Sequence, residues 1–182
     1  MKSLDLYLRD QRFLKAKPFV RPNDVVLDIG CEDGALFESL RGTIKHGVGI
    51  DPVLSQKQET DLYTLLPGMF PGALPPGDKY DVITMLAVLE HIPPAEQARL
   101  GQLCVDHLNP AGRVVITVPS PRVDQILHVL QALRLIEAET LHEHYGFEVA
   151  QTEDIFKAPL FRLLHKRKFQ LGLNNLFVFE RL

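Results

Sequence analysis

Two cysteines, Cys31 and Cys104, are too few to build a disulfide framework, and their spacing is not that of a zinc site. Basic residues are not in excess either. The 20 Lys and Arg stand against 23 Asp and Glu, for a formal net charge of -3, so no global basic field draws the chain to nucleic acid or to an anionic membrane. Long apolar runs are missing, and none approaches the roughly 20 residues needed to span a bilayer. The N-terminus carries Lys2, Asp5, Arg9 and Asp10 among its apolar residues, which leaves no uncharged centre for a secretion signal. These absences set the expectation of a reducing, cytoplasmic setting with no transmembrane segment, and leave peripheral membrane contact open. Internal repeats, low-complexity tracts and interdomain linkers are absent as well. With 46% hydrophobic content in 182 residues, one well-cored domain over 1–182 is expected.

What is present alternates. Ser3 to Lys17 reads as an N-terminal helix closed by Pro18 and Pro22, so that 1–22 precede the first strand. Val25 to Ile29 reads as a strand, Ala35 to Leu40 as a short helix and Lys45 to Asp51 as a second strand. Gln56 to Leu66 reads as a helix followed by a third strand. Pro67-Gly68, Pro71-Gly72 and Pro75-Pro76-Gly77 then punctuate a loop. Tyr80 to Leu86 is a fourth strand, Pro94 to His107 a helix with Leu100, Leu103 and Cys104 on one face, and Arg113 to Val118 a fifth strand, apolar on both sides. Ser120-Pro121 opens an amphipathic helix through Val123, Ile126, Leu127 and Leu130, and Thr152 is placed to cap another helix. The tail alternates on either side of Asn174-Asn175, which predicts a terminal antiparallel hairpin within 165–182. Strands alternating with helices predict an α/β, doubly wound, mostly parallel sheet.

The most informative stretch is Val25-Val26-Leu27-Asp28-Ile29-Gly30-Cys31-Glu32-Asp33-Gly34. It reads as a buried strand, a tight loop and a helix start whose N–H groups can meet an anionic ligand group. Its spacing is not the G-x-G-x-x-G of a dinucleotide site, which disfavours a nicotinamide oxidoreductase. Three later segments stand beside it: Val48-Gly49-Ile50-Asp51, Lys79-Tyr80-Asp81-Val82 running to Glu90-His91-Ile92, and Leu108-Asn109-Pro110-Ala111-Gly112 leading into Arg113 to Pro119. Together, and in this order, they resemble the motifs of the class I S-adenosylmethionine-dependent methyltransferases, from about Arg12 to Glu180. The resemblance implies a Rossmann-like, seven-stranded sheet with a C-terminal antiparallel hairpin and S-adenosyl-L-methionine as cofactor.

The resemblance also implies roles for particular residues. Asp28 lies beside the methionine moiety, where a carboxylate can accept a hydrogen bond from the ammonium; otherwise it is a strand-end acid capping the loop. Gly30 and Gly34 let the backbone approach the ligand or take positive φ, and Cys31 is a small side chain between them. Asp51, followed by Pro52, falls about 20 residues on, as a ribose-binding acid does. Glu32 departs from a common family glycine, and either helps to hold the ammonium or points to solvent. No acid follows the third strand, and Met69 and Phe70 either pack on the adenine or anchor their loop in the core. Leu86 and Ala87 are expected as cleft walls.

Transfer to oxygen or nitrogen also calls for removal of a proton, and His91 beside Glu90 is the candidate base, unless the pair only shapes its loop. His144 and Tyr145 are expected to face the acceptor. His142-x-His144 lacks further ligands, so no metal is expected. The fourth-strand loop lacks the N-P-P-Y or D-P-P-Y tetrapeptide of many nitrogen methyltransferases, and the basic run Arg162, His165, Lys166, Arg167 and Lys168 is local. A small-molecule, sugar or lipid-precursor acceptor is therefore expected rather than nucleic acid. The alternative is a non-catalytic cofactor- or partner-binding module on the same fold, and the oligomeric state is left open.

Overall fold

The computed structural model describes residues 3–120 and 147–182. Helix α1 spans Ser3–Ala16 and runs into a single 3-10 turn, Lys17–Phe19. Strand β1 (Val25–Ile29), helix α2 (Ala35–Ser39) and strand β2 (His46–Asp51) follow, then β3 (Gln58–Glu59), β4 (Tyr63–Pro67) and β5 (Tyr80–Leu86). A 3-10 turn at Leu89–His91 leads to α3 (Pro94–His107) and β6 (Leu108–Pro119). A short helix at Gln151–Ile155 precedes β7 (Phe161–Phe169) and β8 (Asn174–Arg181).

Among the described residues these strands form one sheet of eight in the order β3-β4-β2-β1-β5-β6-β8-β7. Pairing is parallel from β4 through β6 and antiparallel at β3, β8 and β7. The expected doubly wound sheet with its terminal hairpin is therefore present, with a two-residue edge strand added. The chain builds outward from β1 through β2 to β4 and then returns to β5 on the other side of β1. This leaves a switch point beyond the carboxyl ends of β1 and β5, where open α/β sheets bind ligands.

Alternation along the strands gives each face its own core. Val114, Ile116 and Val118 of β6 join Ile83, Met85, Leu100, Cys104, Phe177 and Phe179 on one side. Val115 joins Val26, Phe37, Leu65, Val82, Leu176 and Val178 on the other. Glycines in β2 allow the helix layer to come close: a Cβ on Gly47 would lie 2.3 Å from the Phe37 ring, and one on Gly49 would lie 2.6 Å from Cys31 Sγ.

Three local expectations need correction. No helix forms at Gln56. Thr60 Oγ1 instead accepts the N–H of Leu62 at 3.2 Å and of Tyr63 at 3.0 Å, which closes a tight turn and pairs Gln58–Glu59 with β4. Thr152 does not cap its helix but lies inside it, fully buried; the nearby amide of Glu148 is taken by the Gln151 side chain at 2.8 Å. The hairpin does not turn at Asn174-Asn175. It turns at Gln170–Gly172, where Gln170, Leu171 and Gly172 all take positive φ. The two asparagines open β8, with the Asn174 amide on Gln170 and the Asn175 amide on the Val118 carbonyl. The amphipathic helix expected after Ser120-Pro121 lies outside the described residues.

Candidate active site

The carboxyl ends of β4, β2, β1, β5 and β6 surround a cleft of about 1360 Å³. That exceeds the roughly 300–1,000 Å³ usual for a single small ligand. Its floor is the loop after β1, where Gly30 and Gly34 take φ of 79° and 77° and Glu32 takes 49°. Left-handed residues in alternation fold the chain back tightly, and the Gly30 N–H donates to the Ile50 carbonyl at 2.9 Å. A Cβ on Gly30 would lie 2.4 Å from Val88 Cγ2. The loop after β5 thus rests directly on the glycine-rich loop. Helix α2 is only five residues long and the Ala35 N–H is taken by Asp33 at 3.0 Å, so the helix start does not present that donor to a ligand.

Two buried acids stand at adjacent strand ends. Asp51 accepts the Glu32 N–H at 2.9 Å and the Val53 N–H at 3.0 Å, one on each carboxylate oxygen. It therefore ties the loop after β1 to the loop after β2, and each oxygen keeps a lone pair for a further donor. Asp28 lies deeper, beneath a recess of about 60 Å³ that also borders Arg9, Arg12 and Glu32. Thr84 Oγ1 donates to Asp28 Oδ1 at 2.6 Å. Burial, with Asp51 adding to it and the Thr84 bond opposing it, pushes the Asp28 carboxyl up to about 7. Burial likewise raises the Cys31 thiol far above its ordinary range; it is packing, not a nucleophile.

Most of the expected residues meet here. Gly30, Glu32, Asp51, Pro52, Met69, Phe70, Leu86, Ala87, Glu90 and His91 all border the large cleft, and Asp28 and Cys31 border the recess joined to it by Gly30. Gly34 does not border either cavity: a Cβ there would lie 2.9 Å from the Tyr63 ring, so its role is in packing the turn. Glu32 faces neither solvent alone nor the cleft alone, since its carboxylate lies 3.8 Å from Arg9 Nη1. Both residues of the third loop border the cleft, and they differ in their packing. Phe70 packs edge-on against His107 with ring centroids 5.3 Å apart, while Met69 stays open at the cleft. Glu90 is buried and His91 exposed. His144 and Tyr145 lie outside the described residues, as does His142.

Several lining residues have no motif to announce them. Arg12 of α1 borders both cavities. Burial lowers the pKa of its guanidinium, while the charges of Glu90 and Glu32 act in the opposite direction. Its helical spacing was the only signal in the sequence. Val88, Val53, Glu96, Arg99 and Leu103 line the cleft through the meeting of loops with α3, which local pattern cannot show. Thr84 had one signal, a hydroxyl within the apolar run Val82 to Leu86.

The cleft divides chemically. One half, with Asp51, Ile50, Val53 and Met69, offers an acid and an apolar wall and adjoins, at Gly30, the recess over Asp28; the other sets Glu90, His91, Glu96 and Arg99 among Ile92, Leu100 and Leu103. Among the described residues, no group of three or more His, Cys, Asp or Glu is placed to hold a metal, and no helix is long and apolar enough to cross a membrane.

Comparison with known proteins gives a consistent result. A methyltransferase domain family matches residues 6–155. The chain is 33% identical over 112 residues to the ubiquinone biosynthesis O-methyltransferase of Paraburkholderia phytofirmans, covering 56% of this chain and 47% of that protein. To the protein of the same name from Aeromonas salmonicida it is 28% identical over 137 residues, covering 67% and 56%. The chain thus spans about half the length of the curated relatives it matches. Among solved structures, the N-methyltransferase NodS of Bradyrhizobium japonicum WM9 superposes with a TM-score of 0.66 at 13% identity, over 99% of this chain and 98% of that one. The magnesium protoporphyrin IX methyltransferase of Synechocystis PCC 6803, with bound S-adenosylhomocysteine, gives 0.65 at 18% identity, over 97% and 83%. At these identities the solved structures establish the fold, and the family match carries the assignment: the chain belongs to the class I S-adenosylmethionine-dependent methyltransferases.

Proposed function

We propose that this chain, as a single domain, transfers the methyl group of S-adenosylmethionine to an oxygen of a small, largely apolar acceptor. The observation that carries the reading is a cleft that has Asp51, with the adjoining recess over Asp28, on one side and an apolar half bearing His91 on the other. The residues present fit the donor. Asp51 has lone pairs left for a ribose diol, Asp28 suits an ammonium, and Ile50, Val53 and Met69 offer an apolar wall for a purine. Gly30 keeps the space beside Val88 free of a side chain. Arg12, the half-buried cation bordering both cavities, is the partner for the donor's carboxylate.

The donor supplies an activated methyl on a sulfonium. The chain's task is then to hold an acceptor oxygen in line and keep water out, and orientation alone can lower a barrier by about 7–11 kcal/mol. His91, on the loop after β5 that rests on Gly30, lines the apolar half, and its exposed imidazole is the base that takes the acceptor's proton. Ile92, Leu100 and Leu103 line the acceptor side. The name of the matched relatives supports oxygen over nitrogen as the acceptor atom.

Calorimetry with S-adenosylmethionine, S-adenosylhomocysteine and NAD tests the donor half; saturable binding of NAD alone would overturn it. For the acceptor half, labelled methyl transfer is measured across matched apolar phenols and amines. Turnover of phenols that falls by about 10²–10⁴-fold in His91→Ala supports the base. Tight donor binding with no transfer to any acceptor would favour a non-catalytic module instead.

A further inference from the structure

Thr84 lies on β5 beside Asp28, wholly buried, and its hydroxyl has two acceptors in reach: Asp28 Oδ1 at 2.6 Å and the Leu27 carbonyl at 3.2 Å. A hydroxyl has one hydrogen and can also accept. With Asp28 protonated, the acid O–H donates to Thr84 Oγ1 and the Thr84 hydroxyl donates to Leu27. With Asp28 ionised, the Thr84 hydroxyl turns and donates to the carboxylate. Both states keep a hydrogen bond between the two side chains, so a buried acid can change charge without leaving an orphaned group.

We infer that Thr84 is a positioning residue for donor binding: its hydroxyl swings from Leu27 to Asp28 as the carboxyl gives up its proton, so a donor's ammonium enters with release of that proton to solvent. This rests on the proposed donor half of the cleft.

The surroundings of Asp28 favour such coupling. From β2, Asp51 opposes ionisation, and the loop after β1 adds Cys31, Glu32 and Asp33 around the recess. From α1, Arg9 is engaged by Asp33 at 3.0 Å and by Glu32, while Arg12 faces the charges of Glu90 and Glu32. Among the described residues no cation pairs directly with Asp28. An incoming ammonium would be its first. The raised carboxyl agrees with this geometry, and the Thr84 bond opposes the rise by stabilising the ionised carboxylate.

The test is calorimetric titration with S-adenosylhomocysteine, which carries the same ammonium. At neutral pH the observed enthalpy is expected to differ between phosphate and Tris, two buffers of unlike ionisation enthalpy, in the direction of proton release. Affinity is expected to fall by up to about tenfold per pH unit below the carboxyl midpoint and to level off above it. Thr84→Val, which keeps the shape and removes the hydroxyl, should shift that midpoint upward. It should weaken binding at neutral pH by about 3–10-fold, with recovery in alkaline buffer, and Thr84→Ser should restore the wild-type profile. Binding with a buffer-independent enthalpy, or a Thr84→Val profile that is weaker by the same factor at every pH, would overturn the coupling and leave the donor site standing. No binding at any pH would overturn both. If Thr84→Val fails to fold, the wild-type buffer comparison decides alone.

Discussion

Asp28 and Asp51 are both buried carboxylates, yet their partners differ in kind. Asp51 is held by two backbone N–H groups that come with the fold, whereas Asp28 has a single hydroxyl and sits among other acids. Asp51→Ala therefore leaves two part-buried backbone donors short. A loss of about 1–2 kcal/mol in urea unfolding is expected, with at least 100-fold weaker binding of S-adenosylhomocysteine by calorimetry. Asp28→Asn is expected to act with the opposite sign on stability. The folded carboxyl is raised to about 7, so between its ordinary range and that value the folded protein binds more protons than the unfolded chain. Stability from this group is then complete in acid and is lost as pH rises through the window. Asn carries no charge to bury. The variant should match wild type only in acid below the ordinary carboxyl range and exceed it by about 1–4 kcal/mol in alkaline buffer, measured by thermal unfolding without ligand, while its donor affinity falls.

Elements meet at this site through missing side chains as much as through present ones. Gly30 combines positive φ with direct contact from Val88. Gly30→Ala should cost about 1–2 kcal/mol in backbone strain plus the displacement of Val88, and should abolish donor binding. Val88→Ala in the same chain relieves the contact but not the strain, so stability should recover only in part. Gly47 lets α2 lie close on β2, and Gly47→Ala should push Phe37 away at a cost of about 1–3 kcal/mol, read as a lower urea midpoint. These arrangements also show where local reading stops. The strand ends, α3 and the glycine-rich loop follow from apolar period, proline and glycine. The segment from Gln56 to Glu59 has a helix-compatible composition, but the Thr60 turn and the open edge of β4 make a two-residue strand of it. Thr152 is a good capping residue in isolation; burial in the core overrides that preference.

At the scale of the whole molecule, the sheet's switch point gathers five strand ends around one cleft while α1 closes it from the N-terminal side, bringing Arg9 and Arg12 over Asp28. A ligand bridging these parts stabilises all of them together. S-adenosylhomocysteine at about 100 times its Kd should add about 2.7 kcal/mol, seen as a higher Tm, and NAD at the same concentration should add nothing. Arg12→Ala should weaken donor binding by about 10-fold while leaving the glycine-rich loop folded, which separates the helix's contribution to binding from its contribution to the fold.

The amino-acid order alone determined the alternating architecture, the two acids and the two glycine positions of the first loop, because each depends on chain-local features: strand period, a tight turn, an acid at a strand end. Tertiary structure decided that Val88 covers Gly30, that Arg12 overlooks Asp28, that Phe70 packs on His107 at the cleft edge while Met69 stays open, and that Thr84 shares its hydrogen with Asp28. Those relations join residues far apart in the chain. They exist only once the sheet has set β1 beside β5 and the helices have closed over its end.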